Sequence, residues 1–164
     1  MQYDGHVLVV EDEPALRIDL VDYLLARRFQ VDQAATCRDS LAFLKRMRPD
    51  LILLDLALPD GSGFSVAAAA RQQYDLSVGI IMLTALSDEA NRLAGRGVGA
   101  DIYLVKDTSL REIEVCCRNL LRRLNPAPTA LAASAPPAWH LDEMLWQLLT
   151  PEGSAVPLTA TEVA

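Results

Sequence analysis

Between positions 6 and 124, short runs of apolar residues alternate with longer segments in which apolar residues recur at helical spacing. Short runs in which nearly every residue is apolar are typical of strands buried on both faces of a sheet. Such runs predict strands at 51–54, 78–83 and 102–105, with shorter or weaker ones at 6–10 and 30–34.

Segments with helical spacing separate these strands. They predict helices at 14–28, 40–48, 64–73, 88–96 and 109–124. Pro14 suits a first helical turn, where its missing N–H would have no partner. Ser109 and Glu112 form a capping box at the start of the last helix, and Ser87 is placed to cap the helix before it. Five strand–helix units predict an α/β fold with a doubly wound, five-stranded parallel sheet.

The composition changes after residue 124. Prolines among alanines and serines predict a linker over residues 125–138. Beyond it, apolar runs at 145–149 and 155–158 predict two strands on either side of a turn. Thr159 and Glu162 then form a second capping box. The tail is therefore predicted to be a short β-rich fragment followed by the start of a helix.

The net charge, the lack of long apolar runs and the cysteine spacing limit which kinds of protein this chain can be. The net charge is −7, and all 15 Lys and Arg residues lie at or before Arg123, so we do not expect the tail to bind nucleic acid by itself. No basic leader or bilayer-length apolar run is present, and we expect a cytoplasmic protein. Cys37, Cys116 and Cys117 lack metal-ligand spacing and are interpreted as reduced packing residues.

Polar residues follow four of the predicted strands. Glu11, Asp12 and Glu13 follow the first strand, and the later ones end in Asp55, Thr84 and Lys106. Each residue alone has a plain structural interpretation, as a helix cap, a turn residue or solvated surface. Together they are more informative, because the carboxyl ends of parallel strands share the edge where this architecture binds ligands.

The residue types at that edge favour phosphoryl chemistry. Crowded carboxylates repel one another unless a cation is present, and hard oxygen ligands suit Mg²⁺. Asp55 is central in the sheet and is the accessible nucleophile for an in-line phosphoryl transfer. Lys106 would neutralise charge on the transferred group. The Thr84 hydroxyl would hydrogen-bond one phosphoryl oxygen, with the small Ala85 leaving room for it.

Four segments resemble receiver domains of bacterial two-component response regulators, a likeness that covers residues 5–124. They read VVEDEP at 9–14, LDLALPDGSG at 54–63, TA at 84–85 and GADIYLVK at 99–106. The resemblance implies a flavodoxin-like, CheY-like fold with Asp55 as the phosphorylation site. It also implies that Lys106 and Thr84 bind the phosphoryl group and that Tyr103 turns inward as a switch.

The same resemblance implies a magnesium site and a protein partner. Asp12 would be a direct Mg²⁺ ligand, Glu11 a ligand through water, and the Ala57 carbonyl a further ligand. The implied phosphodonor is a sensor histidine kinase. The chain would be phosphorylated once and would not act as a conventional enzyme.

The tail resembles the opening sheet of OmpR-type winged-helix domains, on the segments WHLD at 139–142 and LTATE at 158–162. The implied domains are a receiver at 1–124, a linker at 125–138 and the first part of a DNA-binding domain at 139–164. DNA would be bound by the remainder of that output domain. The family also implies a homodimer through the face formed by the helix at 88–96, the strand at 102–105 and the last helix.

Three positions depart from the family pattern. Asp107 stands where proline usually follows the lysine, and we predict a trans Lys106–Asp107 peptide because cis costs about 2.5–4 kcal/mol without proline. Ile102 replaces a usual acid, and Cys116 replaces a usual arginine. Both changes remove ion-pair partners, so any dimer is predicted to depend less on salt than the usual one.

Three other functions stay open at this point. A flavodoxin-like cofactor binder would need donors after the first strand, where Glu11 and its neighbours are acidic. A phosphohydrolase that turns over would need a second acid near Asp55, and Leu56 and Ala57 supply none. A receiver that regulates transcription without phosphorylation is compatible with Asp107.

Overall fold

The computed structural model describes residues 3–85 and 99–125, together with the backbone of three short strands between residues 140 and 157. The chain divides into two compact units, Met1–Pro126 and Ala127–Ala164. Within the parts that the structure describes, no helix is long and apolar enough to cross a membrane.

The first unit contains a five-stranded parallel sheet, which confirms the predicted fold class. Its strands are β1 His6–Val10, β2 Gln30–Ala34, β3 Leu51–Asp55, β6 Gly79–Thr84 and β7 Ile102–Val105. They lie side by side in the order β2-β1-β3-β6-β7. The helices are α1 Pro14–Ala26, α2 Cys37–Leu44, α3 Gly63–Tyr74 and α4 Leu110–Leu124, with a 3-10 turn at Asp75–Ser77. A small hairpin, β4 Ala57–Leu58 with β5 Gly61–Ser62, follows β3.

The sheet separates two apolar layers. Strand residues at alternate positions face opposite sides, so Leu8 and Ile52 pack towards α2 and α3, whereas Val7 and Leu53 pack towards α1 and α4. Every residue of β3 and β6 is buried, which explains why these two strands read as continuous apolar runs.

Three boundaries differ from the prediction in ways that affect the site. β3 and β6 each end one residue later than predicted, so Asp55 and Thr84 are the last residues of their strands. α2 begins at Cys37 instead of residue 40, because the Thr36 side chain accepts a hydrogen bond from the Asp39 amide and caps the helix earlier. At α4, the predicted capping box of Ser109 and Glu112 is confirmed.

The second unit contains a three-stranded antiparallel sheet. Its strands are β8 His140–Asp142, β9 Gln147–Leu149 and β10 Ala155–Pro157, and β9 lies between the other two. The two predicted strands are present in shortened form, and the periodicity missed β8. The predicted helix at 88–96, nearly all of the linker and the capping box at Thr159 lie outside the described residues.

The three cysteines are free, as expected. Cys37 and Cys117 are buried, and Cys116 is half-buried. Desolvation raises the pKa of the Cys117 thiol to about 12, which is typical of a packing residue and not of a nucleophile.

Candidate functional site

The strand order brings the predicted polar residues to one edge of the sheet. β1, β3, β6 and β7 are consecutive neighbours. Their carboxyl ends carry Glu11 and Asp12, Asp55, Thr84 and Lys106 respectively. Ligand oxygens of Glu11, Asp12 and Asp55 all lie within 4.8 Å of one another. We call the cluster of Glu11, Asp12, Asp55 and Lys106 the acidic site.

Lys106 joins two of the three carboxylates. Its Nζ donates to Glu11 Oε1 at 2.8 Å and to Asp55 Oδ2 at 2.9 Å. The Glu11 and Asp55 side chains are 0% and 2% exposed, whereas the Lys106 side chain is 24% exposed and Asp12 is open to solvent. One ammonium therefore serves two buried carboxylates, and the third carboxylate lies on the solvent side.

The pKa values reflect this imbalance. Desolvation raises the pKa of both Glu11 and Asp55 above the ordinary carboxyl value, although Lys106 opposes the shift. Desolvation also acts to lower the pKa of Lys106, but its hydrogen bonds to the two carboxylates outweigh this and raise it. The ammonium therefore stays charged, and among the described residues Lys106 is the only positively charged side chain that pairs with the Glu11 and Asp55 carboxylates.

One buried oxygen of the site has no hydrogen-bond partner. Glu11 Oε2 is fully buried and has no hydrogen-bond partner among the residues that the structure describes, whereas Oε1 accepts hydrogen bonds from Lys106 and from the Glu13 amide. A buried carboxylate oxygen without a donor is costly. The unpaired oxygen and the three clustered acids match the hard oxygen set that a divalent cation such as Mg²⁺ takes.

The loop after β3 holds Asp55 closely. Asp55 Oδ1 accepts a hydrogen bond from the Ala57 amide at 3.2 Å, and the Gly63 amide donates to the Leu56 carbonyl at 2.8 Å. A β-carbon on Gly63 would lie 2.1 Å from the Asp55 carbonyl oxygen. Only glycine permits this approach of α3 to the end of β3.

Thr84 and Tyr103 line a cavity beside the acidic site. The cavity has a volume of about 220 Å³ and is lined by Thr84, Tyr103, Leu104, Val105 and Thr108. Thr84 is buried, and its hydroxyl donates a long hydrogen bond of 3.5 Å to the Leu104 carbonyl. Tyr103 is half-buried, and desolvation raises the pKa of its hydroxyl. The Lys106–Asp107 peptide is trans, as predicted.

Two residues that sequence reasoning missed support the site. Asp60 accepts hydrogen bonds from the Cys37 and Arg38 amides at 2.7 and 3.0 Å, which fastens the hairpin after Asp55 to the start of α2. Arg17 donates to the carbonyl oxygens of Glu11 and Asp12. A turn aspartate between Pro59 and Gly61 was the available signal for Asp60. For Arg17 no signal distinguished it from a solvated helix residue.

Comparison with known proteins identifies the family. Residues 7–118 match the family model of the response regulator receiver domain. The chain belongs to this family.

Relatives and solved structures agree with this assignment. A probable transcriptional regulator ycf27 from Porphyridium aerugineum is 40% identical over 121 residues, which cover 74% of this chain and 50% of the relative. The transcriptional regulatory protein BaeR from Escherichia coli is 35% identical over 156 residues, covering 95% of this chain and 64% of BaeR. The crystal structure of the TorR receiver domain is 37% identical with a TM-score of 0.67, covering 73% of this chain and 98% of that one.

The chain is thus homologous to transcriptional regulators of two-component systems. It spans about half to two thirds of the length of these curated relatives.

Proposed function

We propose that this receiver accepts a phosphoryl group on Asp55 from a sensor histidine kinase and so switches a DNA-binding output domain. One observation carries the proposal. Asp55 ends a fully buried strand with its carboxylate bonded to Lys106, and the oxygens of two further acids lie within 4.8 Å. A surface aspartate used only as a helix cap would not need this arrangement.

Glu11, Asp12 and Asp55 would hold Mg²⁺, together with the backbone carbonyl of Ala57. The bound ion would offset the repulsion among the carboxylates and the charge that develops on the phosphoryl oxygens. Glu11 would contribute through a water molecule and Asp12 directly. The unpaired Glu11 Oε2 supports this assignment, because a polar partner at that edge would satisfy it.

Asp55 would act as an ionised nucleophile. An Oδ atom attacks phosphorus in line, the bond from phosphorus to the donor's histidine nitrogen breaks, and an acyl phosphate forms on Asp55. No proton leaves Asp55 in this step, because its hydrogen bond to Lys106 helps to keep it charged. The Lys106 ammonium then pairs with an oxygen of the new phosphoryl group.

Thr84 and Tyr103 would transmit the change. The Thr84 hydroxyl makes only a 3.5 Å hydrogen bond, so little is lost when it turns to a phosphoryl oxygen. The cavity between the two side chains gives the Tyr103 ring room to move inward. Tyr103 would thereby report the state of Asp55 to the surface of β7.

The output would be control of transcription in the cytoplasm. The alignment with BaeR covers 95% of this chain and therefore extends beyond the receiver. Residues 139–164 would be the first part of a winged-helix domain that binds DNA, joined to the receiver by a linker at 125–138.

A homodimer would form through the surface that includes β7 and α4. These elements border a groove of about 380 Å³ lined by Leu104, Thr108, Arg111, Glu112, Val115 and Cys116. Val115 is 50% exposed, and Ile102 and Cys116 are uncharged. We expect sedimentation to show a dimer that survives high salt, and dissociation in moderate salt would contradict this interface.

The test of phosphorylation is intact mass after treatment with acetyl phosphate and Mg²⁺. We expect one added phosphoryl group in the wild type, and none in Asp55→Asn or in the presence of a chelator. Asp60→Asn is a matched control that keeps the nucleophile. A mass gain that persists in Asp55→Asn would refute the assignment. An unmodified wild type that still controls transcription would favour a receiver that works without phosphorylation.

A further inference from the structure

The loop between β1 and α1 carries two of the three acids, yet the start of α1 lacks the usual capping interaction. Glu13 occupies the N-cap position, and its side chain makes no capping hydrogen bond. A loop that lacks such a cap is free to shift unless another group holds its backbone. The position of Asp12, whose side chain is exposed, depends directly on that backbone.

Arg17 holds it from the side of α1, while the Glu11 amide donates to the Ala34 carbonyl at 3.1 Å on the side of β2. Its Nη1 donates to the Glu11 carbonyl at 2.6 Å and to the Asp12 carbonyl at 3.1 Å. Its Nε donates to the Gln33 side-chain oxygen at 3.2 Å, next to the end of β2. One planar guanidinium therefore binds two consecutive carbonyls and an anchor on the neighbouring strand. A lysine ammonium has no such fork of donors.

We propose that Arg17 is a positioning residue that sets the affinity of the acidic site for Mg²⁺. It does so by fixing the backbone from which the Glu11 and Asp12 carboxylates project. The inference rests on the proposed function only in taking that site to bind Mg²⁺. Arg17 itself hydrogen-bonds to two backbone carbonyls and to the Gln33 side chain, and within the described part of the chain it donates to no carboxylate of the acidic site.

The charge of Arg17 and its geometry act on metal affinity in opposite directions. A positive charge near the ligands repels a cation, so removing the charge alone would tighten Mg²⁺ binding. Removing the two carbonyl contacts loosens the ligand loop and weakens binding, as loss of a supporting hydrogen bond does in other metal sites. The sign of the change therefore separates the two roles.

The experiment compares Arg17→Lys, which keeps the charge, with Arg17→Met, which removes it. Calorimetric titration of the full chain with MgCl₂ gives the affinity. Hydrogen exchange of the Glu11 to Glu13 amides without metal reports on the loop. We expect both variants to bind Mg²⁺ roughly 10-fold more weakly and to exchange these amides faster. Arg27→Lys, beyond the opposite end of α1, is the matched control and should change neither measurement.

Three results would overturn the inference. Unchanged binding in Arg17→Lys with tighter binding in Arg17→Met would make Arg17 only a neutralising charge. An equal loss in Arg27→Lys would indicate general destabilisation, and a wild type that binds no Mg²⁺ would leave no site to position. If the wild type binds Mg²⁺ as described but gains no phosphoryl mass, the proposed function fails and the role of Arg17 stands.

Discussion

Two clusters of charged side chains lie at opposite ends of the same parallel sheet and balance their charges differently. The acidic site lies at the carboxyl ends of the strands, where three carboxylates face one ammonium. The second cluster lies at the amino ends of β1 and β2, where two carboxylates face three guanidinium groups. We call it the Asp4–Arg118 network; its members are Asp4, Arg27, Arg28, Glu114 and Arg118.

The Asp4–Arg118 network is well paired. Arg118 donates to Asp4 at 2.8 Å and to Glu114 at 2.9 Å, and its guanidinium lies 4.8 Å from the centre of the Phe29 ring. The hydrogen bonds from Arg118 lower the pKa of both carboxyl groups. At the acidic site, burial raises the carboxyl pKa values instead. In the Asp4–Arg118 network, folding stabilises the ionised form of the carboxyl groups. At the acidic site, keeping the Glu11 and Asp55 carboxyl groups ionised lowers the stability of the fold.

The largest expected difference between the two ends concerns glycine. Gly63→Ala would place a β-carbon 2.1 Å from the backbone oxygen of Asp55, which must then move. Gly5→Ala, beside the network, meets only the tip of the Leu121 side chain at 2.7 Å. We expect denaturant unfolding to show a loss of roughly 3 kcal/mol or more for Gly63→Ala and at most about 1 kcal/mol for Gly5→Ala. Similar losses for both variants would mean that the backbone at the acidic edge adjusts to an added methyl group as easily as the Leu121 side chain does.

Breaking the network should destabilise the fold. Arg118→Met removes two ion pairs and the contact with Phe29 while keeping most of the apolar stem. We expect a loss of about 1–2 kcal/mol in the free energy of unfolding, measured by urea titration. Arg122→Met, one turn further along α4, should stay within about 0.5 kcal/mol of the wild type. An unchanged stability for Arg118→Met would show that the network does not contribute to the stability of the fold.

Neutralising a carboxylate of the acidic site should stabilise the fold. Asp55→Asn removes one of the two buried charges that share Lys106 and keeps an oxygen for the Ala57 amide. Without metal, we expect a gain of about 1 kcal/mol, or a few degrees in melting temperature. Asp60→Asn is the matched control and should destabilise, because hydrogen bonds from the Arg38 and Cys37 amides lower the pKa of that carboxyl. A loss of stability in Asp55→Asn would show that Lys106 fully compensates the two buried carboxylates.

The smallest expected effect is on how stability depends on pH, which should differ in sign between the two clusters. A carboxyl with a raised pKa binds its proton more readily when folded, so its ionisation costs stability as pH rises above its unfolded pKa of about 4. The stability advantage of Asp55→Asn should therefore appear as pH rises through and above that value. Glu114 has a lowered pKa, so the disadvantage of Glu114→Gln should be present at neutral pH and vanish on acidification. Melting curves at a series of pH values, without metal, test both signs.

The sequence by itself determined the parallel sheet and the composition of its edge. The runs around Ile52 and Ile81 are apolar at every position because those strands are covered on both faces. Chemistry-bearing residues followed four strands, and the rule that parallel strands share a carboxyl edge brought Asp55, Thr84 and Lys106 together. These inferences needed only local pattern and connectivity.

Only the tertiary structure decided how charge is distributed at that edge. The depth of Glu11, the pairing of Lys106 with two carboxylates and the unpaired Glu11 Oε2 arise from contacts between strands far apart in the chain. The same holds for α2, whose start at Cys37 is supported by Asp60 from a loop more than twenty residues later. Arg17 had no signal in the sequence, because two of its three partners are backbone carbonyls, which any residue provides. Local pattern fixes which groups reach an edge, and packing fixes which of them are buried, paired or left without a partner.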